Sequence, residues 1–242
     1  RKEYSIRENR MRQESIELSS WDAVSDYIDN GFYTPAPSYF EHVIQHRNYY
    51  PAHAFSKGQL ASKSWLLEQL VKANRNTGGA GITVAILGSW IGTLVQPLIH
   101  TINCERVYGF DMDADAIEKS EKLNQMHVQD GWRYKGVVAD VSQLDCSAMQ
   151  FETGGELIEV KPDIIINTSC EHMNTDWFHS ASSDQLIVMQ TNNSEDYEGH
   201  VNTCISLAEV QSKYTLDHRR THYCGEMITP AYTRYMQIGY KP

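Results

Sequence analysis

The hydrophobic pattern of the chain changes at about residue 81. Before it, apolar residues recur at helical spacing, most clearly over 62–73, where Trp65, Leu66 and Leu70 share one face. After it, five short apolar runs alternate with helical patterns, and these runs cover 82–87, 106–110, 134–139, 163–167 and 185–190. We therefore predict an N-terminal helical cap over residues 1–80 and an α/β domain over residues 81–242.

The pattern over residues 81–242 predicts a doubly wound, mostly parallel sheet of seven strands. Helical patterns lie between or after the five runs, at 91–102, 113–126, 142–149, 174–181 and 200–210. Strands that alternate with helices of this length are joined by right-handed crossovers, which make neighbouring strands parallel. Two strand-like runs near the end, 214–221 and 232–240, have a loop but no clear helix between them. We expect these two runs to form an antiparallel hairpin at the edge of the sheet.

The first apolar run ends in a turn that contains two glycines. Gly88 follows the run directly, and Gly92 comes four residues later, before the next helical pattern. A buried strand, a tight glycine turn and a helix present backbone N–H groups to a ligand. Asp111 ends the second run, where an acid can accept hydrogen bonds from both ribose hydroxyls. The two features together predict a nucleoside site.

Composition and charge narrow the class of protein. The 242 residues are 41% hydrophobic, which suits one well-buried domain with an appendage. A formal net charge of −10 argues against sequence-independent binding of nucleic acid, which needs clustered Lys and Arg. The five cysteines are scattered without a CxxC pair, which favours reduced thiols over disulfides or a zinc site. We expect a cytoplasmic protein with no membrane partner and no metal.

In these elements the chain resembles the class I S-adenosylmethionine-dependent methyltransferases. The stretch from Gly88 to Thr93 stands where that family has its glycine-rich loop, although Trp90 interrupts the usual glycines. Asp111 matches the acid that holds the ribose, and Asp140, after the third run, matches the acid that takes the adenine amino group. The resemblance implies S-adenosylmethionine as cofactor. The residues that we expect to bind it at the strand ends are Gly88, Ser89, Gly92, Thr93, Asp111, Met112, Asp140, Val141 and Asn167. Gln59, in the helical segment before the first run, is a further candidate that could reach the methionine carboxylate, with a solvated surface position as the alternative.

Each of the motif residues also has a purely structural interpretation. Gly88 and Gly92 can be turn or helix-packing glycines. Asp111 can form an N-cap pair with Asp113, and Asp140 can cap a helix that begins near residue 142. Their arrangement in order on three successive strand ends favours the nucleoside site.

The polar loop after the fourth run carries the candidate catalytic residues. It spans 167–172, where the family places its catalytic or substrate-facing loop, and we assign Asn167, Glu171 and His172 to it. Methyl transfer needs the nucleophile and the methyl group in line, and a base only when the acceptor needs one. Glu171 or His172 is a possible general base, with a solvated or capping side chain as the alternative. The candidate substrate contacts are Ser169, Asn192 after the fifth run, and Tyr33 in the cap.

Methyl transfer to a small molecule is the function that these features favour, in a monomer or homodimer. The 167–172 loop lacks the Asn-Pro-Pro-Tyr signature of enzymes that methylate amino groups in nucleic acids. A sulfonium has three electrophilic carbons, so the same fold also supports aminocarboxypropyl transfer, as in nicotianamine synthase-like enzymes, or cyclisation to azetidine-2-carboxylate. A non-catalytic partner subunit is a further alternative. A nicotinamide-dependent dehydrogenase fits less well, because Gly88 and Gly92 do not complete its GxGxxG pattern.

Overall fold

The chain divides into two compact units, Arg1–Trp65 and Leu66–Pro242, in a computed structural model. The structure describes residues 42–242 except 44, 75–80, 103, 130–132, 196–198 and 230. Tyr33 and more than half of the predicted cap therefore lie outside the described residues. A 3-10 helix covers Ala52–Phe55, and helix α1 covers Lys57–Asn74. The boundary between cap and α/β domain near residue 80 stays a prediction.

Nine strands follow in the second unit. They are β1 (Ile82–Leu87), β2 (Cys104–Asp111), β3 (Tyr134–Val138), β4 (Met149–Thr153), β5 (Glu156–Val160), β6 (Ile164–Asn167), β7 (Leu186–Asn192), β8 (Thr221–Ile228) and β9 (Thr233–Gly239), counted over the described residues. Seven of them form one sheet in the order β3-β2-β1-β6-β7-β9-β8. The first five are parallel, and β9 is antiparallel to both β7 and β8. The predicted mostly parallel seven-stranded sheet with an antiparallel C-terminal hairpin is confirmed.

Short helices flank this sheet. They are α2 (Val95–Thr101), α3 (Ala114–Leu123), α4 (Gln125–Gln129), α5 (Asp176–Ser180) and α6 (Leu207–Lys213). The central strands β6 and β7 bury every one of their residues, as strands covered on both faces do. The parallel order brings the carboxyl ends of β1, β2, β3, β6 and β7 to one edge of the sheet. No helix in the described ranges has the length and apolar character to cross a membrane.

The helix predicted over 142–149 is wrong. Only a 3-10 turn forms, at Val141–Gln143. Two aspartates divert the backbone, because Asp140 accepts from the Ser142 N–H and Asp145 accepts from the Ser147 N–H, each at 2.9 Å. Such side-chain bonds offer the backbone an alternative to helical bonds.

A β-hairpin that the sequence analysis did not predict follows this turn. Its strands β4 and β5 pair antiparallel around Gly154 and Gly155, whose φ angles are +60° and +83°. Positive φ at both central residues is what a two-residue hairpin turn of type I′ requires. Phe151 of the hairpin packs against Phe110 of β2, with ring centroids 5.9 Å apart, so the hairpin extends the core.

The strand predicted over 214–221 is also wrong. Tyr214 follows helix α6, and β8 begins only at Thr221. Between them Asp217 forms a turn, because its carboxylate accepts from the Arg219 N–H and its carbonyl from the Arg220 N–H, both at 2.9 Å. The final strand is confirmed, since β9 lies within the predicted 232–240.

Candidate active site

The chain between β1 and α2 forms a turn with three left-handed residues. Gly88, Trp90 and Gly92 have φ angles of +62°, +49° and +67°. Trp90 is the one non-glycine residue with positive φ in the described part of the chain. A tryptophan thus adopts a backbone conformation that costs a residue with a Cβ about 1–2 kcal/mol. The helical pattern predicted from residue 91 begins only at Val95 because this turn occupies the preceding residues.

Gly92 lies in close contact with helix α3. A Cβ at this position would lie 2.0 Å from Ser120 Oγ and 2.9 Å from Asn124 Nδ2. Asn124 donates to the Gly92 carbonyl at 3.1 Å, and the Ser120 hydroxyl bonds to the Tyr134 hydroxyl. The glycine lets the turn pack directly on α3, which positions it at the edge of the sheet.

Asp111 lies beside the glycine turn at the end of β2. Its Oδ2 accepts from the Trp90 N–H at 2.7 Å, and its Oδ1 accepts from the Asp113 N–H at 3.0 Å. The Ser89 N–H also donates to the Phe110 carbonyl at 3.0 Å. The structure therefore brings the glycine turn and Asp111 together, as the sequence analysis expected, with the carboxylate half-buried.

Asp140 lies at the end of β3, next to Asp111. The Ala139 N–H donates to the Asp111 carbonyl at 2.9 Å, which joins the two strand ends. The Asp140 carboxylate is exposed and caps the 3-10 turn through Ser142, so its structural interpretation also holds. Val141 is buried beneath it. Capping uses Oδ1, at 2.9 Å from the Ser142 N–H and 2.8 Å from its hydroxyl.

The 167–172 loop meets the glycine turn through one hydrogen bond. Ser169 Oγ donates to the Gly88 carbonyl at 3.3 Å. Asn167 is completely buried, its Oδ1 accepts from the Ser169 N–H at 2.9 Å, and its Nδ2 lies 3.1 Å from Met173 Sδ. The Asn167 amide therefore shapes the loop from within.

Glu171, in the 3-10 turn Cys170–His172 after β6, forms a buried pair with Asn192 at the end of β7. Asn192 Nδ2 donates to Glu171 Oε1 at 2.6 Å, and Asn192 Oδ1 accepts from the Ser194 N–H at 2.9 Å. The Glu171 carbonyl accepts from the Val201 and Asn202 N–H groups at 2.9 and 3.0 Å. His172, next in the chain, is exposed. The structure thus places these candidate residues of the two strand ends side by side.

Cys170 does not have the properties of a nucleophile. It is completely buried. Burial, with a smaller contribution from Glu171, raises the pKa of its thiol well above the usual value. A thiol held in its protonated form in an apolar environment is unreactive.

Two residues near this loop were not predicted. His200 places its ring 4.5 Å from that of His172, measured between centroids. Arg234 on β9 is buried opposite Asn192, and its Nη1 donates to the Thr168 carbonyl at 3.5 Å. Arg234 is the one charged residue within the strand-like run that forms β9, and this is a usable signal for it. His200 has no such signal.

The remaining predicted residues lie in different settings. Thr93 is buried within the turn, and Met112 is 75% exposed beyond Asp111. Gln59 belongs to the first unit, where its Oε1 accepts from Lys63 Nζ at 2.8 Å. Its assignment to the cofactor stays a prediction.

The sequence matches no protein-family model and no curated protein. Solved structures do match. Magnesium protoporphyrin IX methyltransferase from Synechocystis PCC 6803, with S-adenosylhomocysteine bound, is 14% identical with a TM-score of 0.54, covering 76% of this chain and 84% of that one. The same protein with S-adenosylmethionine bound is 15% identical with a TM-score of 0.53, covering 76% of this chain and 81% of that one. The N-methyltransferase NodS from Bradyrhizobium japonicum WM9 is 12% identical with a TM-score of 0.50, covering 76% of this chain and 96% of that one.

These similarities concern the fold. The three structures match about three quarters of this chain at TM-scores of 0.50 to 0.54. The chain therefore has the class I methyltransferase fold. All three are less than one sixth identical to this chain, so the similarity concerns the fold and does not extend to the reaction or the acceptor.

Proposed function

We propose that this protein is an enzyme that transfers the methyl group of S-adenosylmethionine to a small-molecule acceptor. The observation that carries the proposal is the meeting of three strand ends at one edge of the sheet. The glycine turn follows β1, Asp111 ends β2 and Asp140 follows β3. Hydrogen bonds join the glycine turn to the end of β2, and the end of β2 to the end of β3. Ligands of open α/β sheets bind at the carboxyl ends of the strands.

The residues at this edge fit an adenosyl group. Asp111 offers a carboxylate to the ribose hydroxyls, and the exposed Asp140 offers one to the adenine amino group. Met112 and Val138 are 75% and 54% exposed, which is unusual for large apolar side chains. Val138 is paired with Asp111 in the β2–β3 register. These apolar side chains therefore offer a surface on which adenine can pack.

The 167–172 loop would position the acceptor. S-adenosylmethionine, when bound, supplies an electrophilic sulfonium methyl group. Ser169 joins the loop to the glycine turn, and Glu171 brings a carboxylate held by Asn192 to the same edge. We assign Asn167 to shaping the loop, Ser169 and Asn192 to acceptor contact, and Glu171 or His172 to proton removal where the acceptor needs it. The net charge of −10 supports a small molecule over a nucleic acid as acceptor.

Calorimetric titration with S-adenosylmethionine and S-adenosylhomocysteine tests the cofactor site. We expect Asp111→Asn to weaken binding about tenfold or more, because hydrogen bonds to a charged acceptor are stronger than those to a neutral one. The matched control is Asp115→Asn, an exposed acid on α3 whose partner is Lys119. Absence of binding in the wild type would favour a non-catalytic partner subunit, and equal effects of the two substitutions would remove the ribose role of Asp111.

Product analysis by mass spectrometry tests the reaction. We expect S-adenosylhomocysteine to form only when an acceptor is added. Methylthioadenosine formed from S-adenosylmethionine alone would instead establish aminocarboxypropyl chemistry. The acceptor itself is sought by incubating the protein and a labelled methyl donor with fractionated small-molecule extracts.

A further inference from the structure

Two histidines from separate segments meet beside the buried Glu171. Glu171, His172 and His200 each place one possible ligand atom within 4.8 Å of the other two. The two imidazole rings meet edge to face, with an interplanar angle of 78°. We propose that these three side chains bind one divalent first-row transition-metal ion. This site is additional to the proposed cofactor site, because none of its ligands belongs to the glycine turn, β2 or β3.

The Glu171 carboxylate has an unsatisfied oxygen. The residue is 4% exposed, and its Oε1 accepts from Asn192 Nδ2 at 2.6 Å. Its Oε2 is buried and has no hydrogen-bond partner among the residues that the structure describes. A buried acceptor without a partner costs about 1–3 kcal/mol, and more when it is charged. A cation bound to this oxygen would remove the penalty and balance the charge.

Both histidines are oriented as metal ligands usually are. His172 Nδ1 lies 3.2 Å from the Gly199 carbonyl oxygen, and His200 Nδ1 lies 2.5 Å from the Ser194 carbonyl oxygen. A carbonyl can only accept, so each Nδ1 carries the hydrogen and the neutral ring has its lone pair on Nε2. Metal-binding histidines characteristically donate their other ring N–H to a backbone carbonyl or a carboxylate.

The donor set selects the class of metal. Two imidazoles and one carboxylate suit Mn²⁺, Fe²⁺, Co²⁺, Ni²⁺ or Zn²⁺, whereas Mg²⁺ and Ca²⁺ prefer oxygen ligands throughout. Three protein ligands leave coordination positions open for water or an acceptor oxygen. Metal–ligand bonds of about 2.0–2.2 Å require the ligand atoms to move closer together, and His172, the exposed member of the three, is the side chain that we expect to shift.

Binding of Co²⁺ alone to the full chain tests the site. The protein is stripped with a chelator and dialysed, and bound Co²⁺ is measured by equilibrium dialysis and by its visible absorption spectrum. We expect one equivalent that Zn²⁺ displaces and Mg²⁺ does not. Glu171→Gln, His172→Gln and His200→Gln are each expected to weaken binding by more than about 100-fold, because even loss of an outer-shell partner costs about 10–100-fold.

His218→Gln is the matched control. The His218 side chain is 85% exposed on the turn before β8, so its replacement leaves the three ligands in place and should not change Co²⁺ binding. Asn192→Ala keeps all three ligands but removes the partner of Glu171, and we expect it to weaken binding about 10–100-fold. Circular dichroism and thermal unfolding identify any variant that does not fold, and the inference is then judged on the others.

Three results would overturn the inference. The first is that the wild type binds no Co²⁺. The second is that ligand variants which fold still bind Co²⁺ as the wild type does. The third is that His218→Gln loses as much Co²⁺ binding as the ligand variants. The proposed function is tested separately by the S-adenosylmethionine titration. A protein that binds S-adenosylmethionine but no Co²⁺ refutes only the metal site, and the reverse result refutes only the cofactor site.

Discussion

Replacement of Gly92 by alanine is expected to destabilise the protein by about 1–4.5 kcal/mol. The new Cβ would lie 2.0 Å from Ser120 Oγ and 2.9 Å from Asn124 Nδ2, and both residues are almost completely buried. Ser120 cannot turn away without giving up its bond to Tyr134. Asn124 cannot turn away without giving up its bond to the Gly92 carbonyl.

Two destabilising effects and one smaller stabilising effect contribute to this magnitude. The left-handed backbone, at a φ of +67°, costs an alanine about 1–2 kcal/mol. The insertion of a methyl group into a packed region typically costs about 1–3 kcal/mol more. Alanine reduces the entropy of the unfolded chain and recovers about 0.4–1 kcal/mol. For a domain of this size the sum corresponds to a melting temperature that is lower by about 2–18 °C.

Urea unfolding followed by circular dichroism measures the effect, with Gly154→Ala as the matched control. Gly154 also has a positive φ, +60°, but nothing lies within 4 Å of a Cβ built there, so it reports the backbone strain alone. The double variant Gly92→Ala, Ser120→Ala removes the closest contact. We expect it to be more stable than the sum of the single effects predicts by about 1 kcal/mol or more, as for other residues in contact.

Equal destabilisation by the Gly92 and Gly154 substitutions would refute the packing argument. Additive effects of the Gly92 and Ser120 substitutions would also refute it, because they would show that the added methyl group and the Ser120 side chain do not meet.

Three further outcomes follow from the structure. Asp140→Ala should lower the affinity for S-adenosylmethionine in a calorimetric titration. Asp145→Ala removes the equivalent carboxylate bond to a backbone N–H, five residues later, and should not lower it. Equal losses of affinity would mean that Asp140 acts only as a cap of the 3-10 turn. A thiol reagent at about pH 8 should modify Cys224 before Cys146, whose pKa burial raises to about 11, and peptide mass spectrometry would expose the opposite order. Burial lowers the pKa of His53 below 6.5, so the folded state favours the neutral ring and stability falls as the pH drops below 6.5; unfolding free energies that fall as steeply in His53→Gln would contradict this.

Much of the fold was predictable because buried strands leave a clear signal. The run 82–87 coincides with β1, and alternation of runs with helical patterns fixed the parallel connections. The β4–β5 hairpin was missed although Gly154 and Gly155 lie between two alternating runs, which is a strong hairpin signal. The helix predicted over 142–149 does not form, because Asp140 and Asp145 bind nearby backbone N–H groups, and the hydrophobic pattern does not reveal such local side-chain bonds.

The candidate site was predictable to the extent that it lies on strand ends. The glycine turn, Asp111 and Asp140 follow from the topology, and so does the neighbourhood of Glu171 and Asn192. His200 was not predictable, because the helical pattern over 200–210 included it in a helix, whereas the helix begins only at Leu207. Roles assigned to these side chains stay predictions until ligands are bound.

The left-handed tryptophan has a practical consequence. The backbone N–H of Trp90 donates to the Asp111 carboxylate, which we propose binds the ribose. The half-buried indole of Trp90 therefore lies in the segment that a bound nucleotide would disturb. The protein therefore carries its own optical probe, and the difference in emission between the wild type and Trp90→Phe isolates its signal from the other four tryptophans. Ligand screening then needs no label.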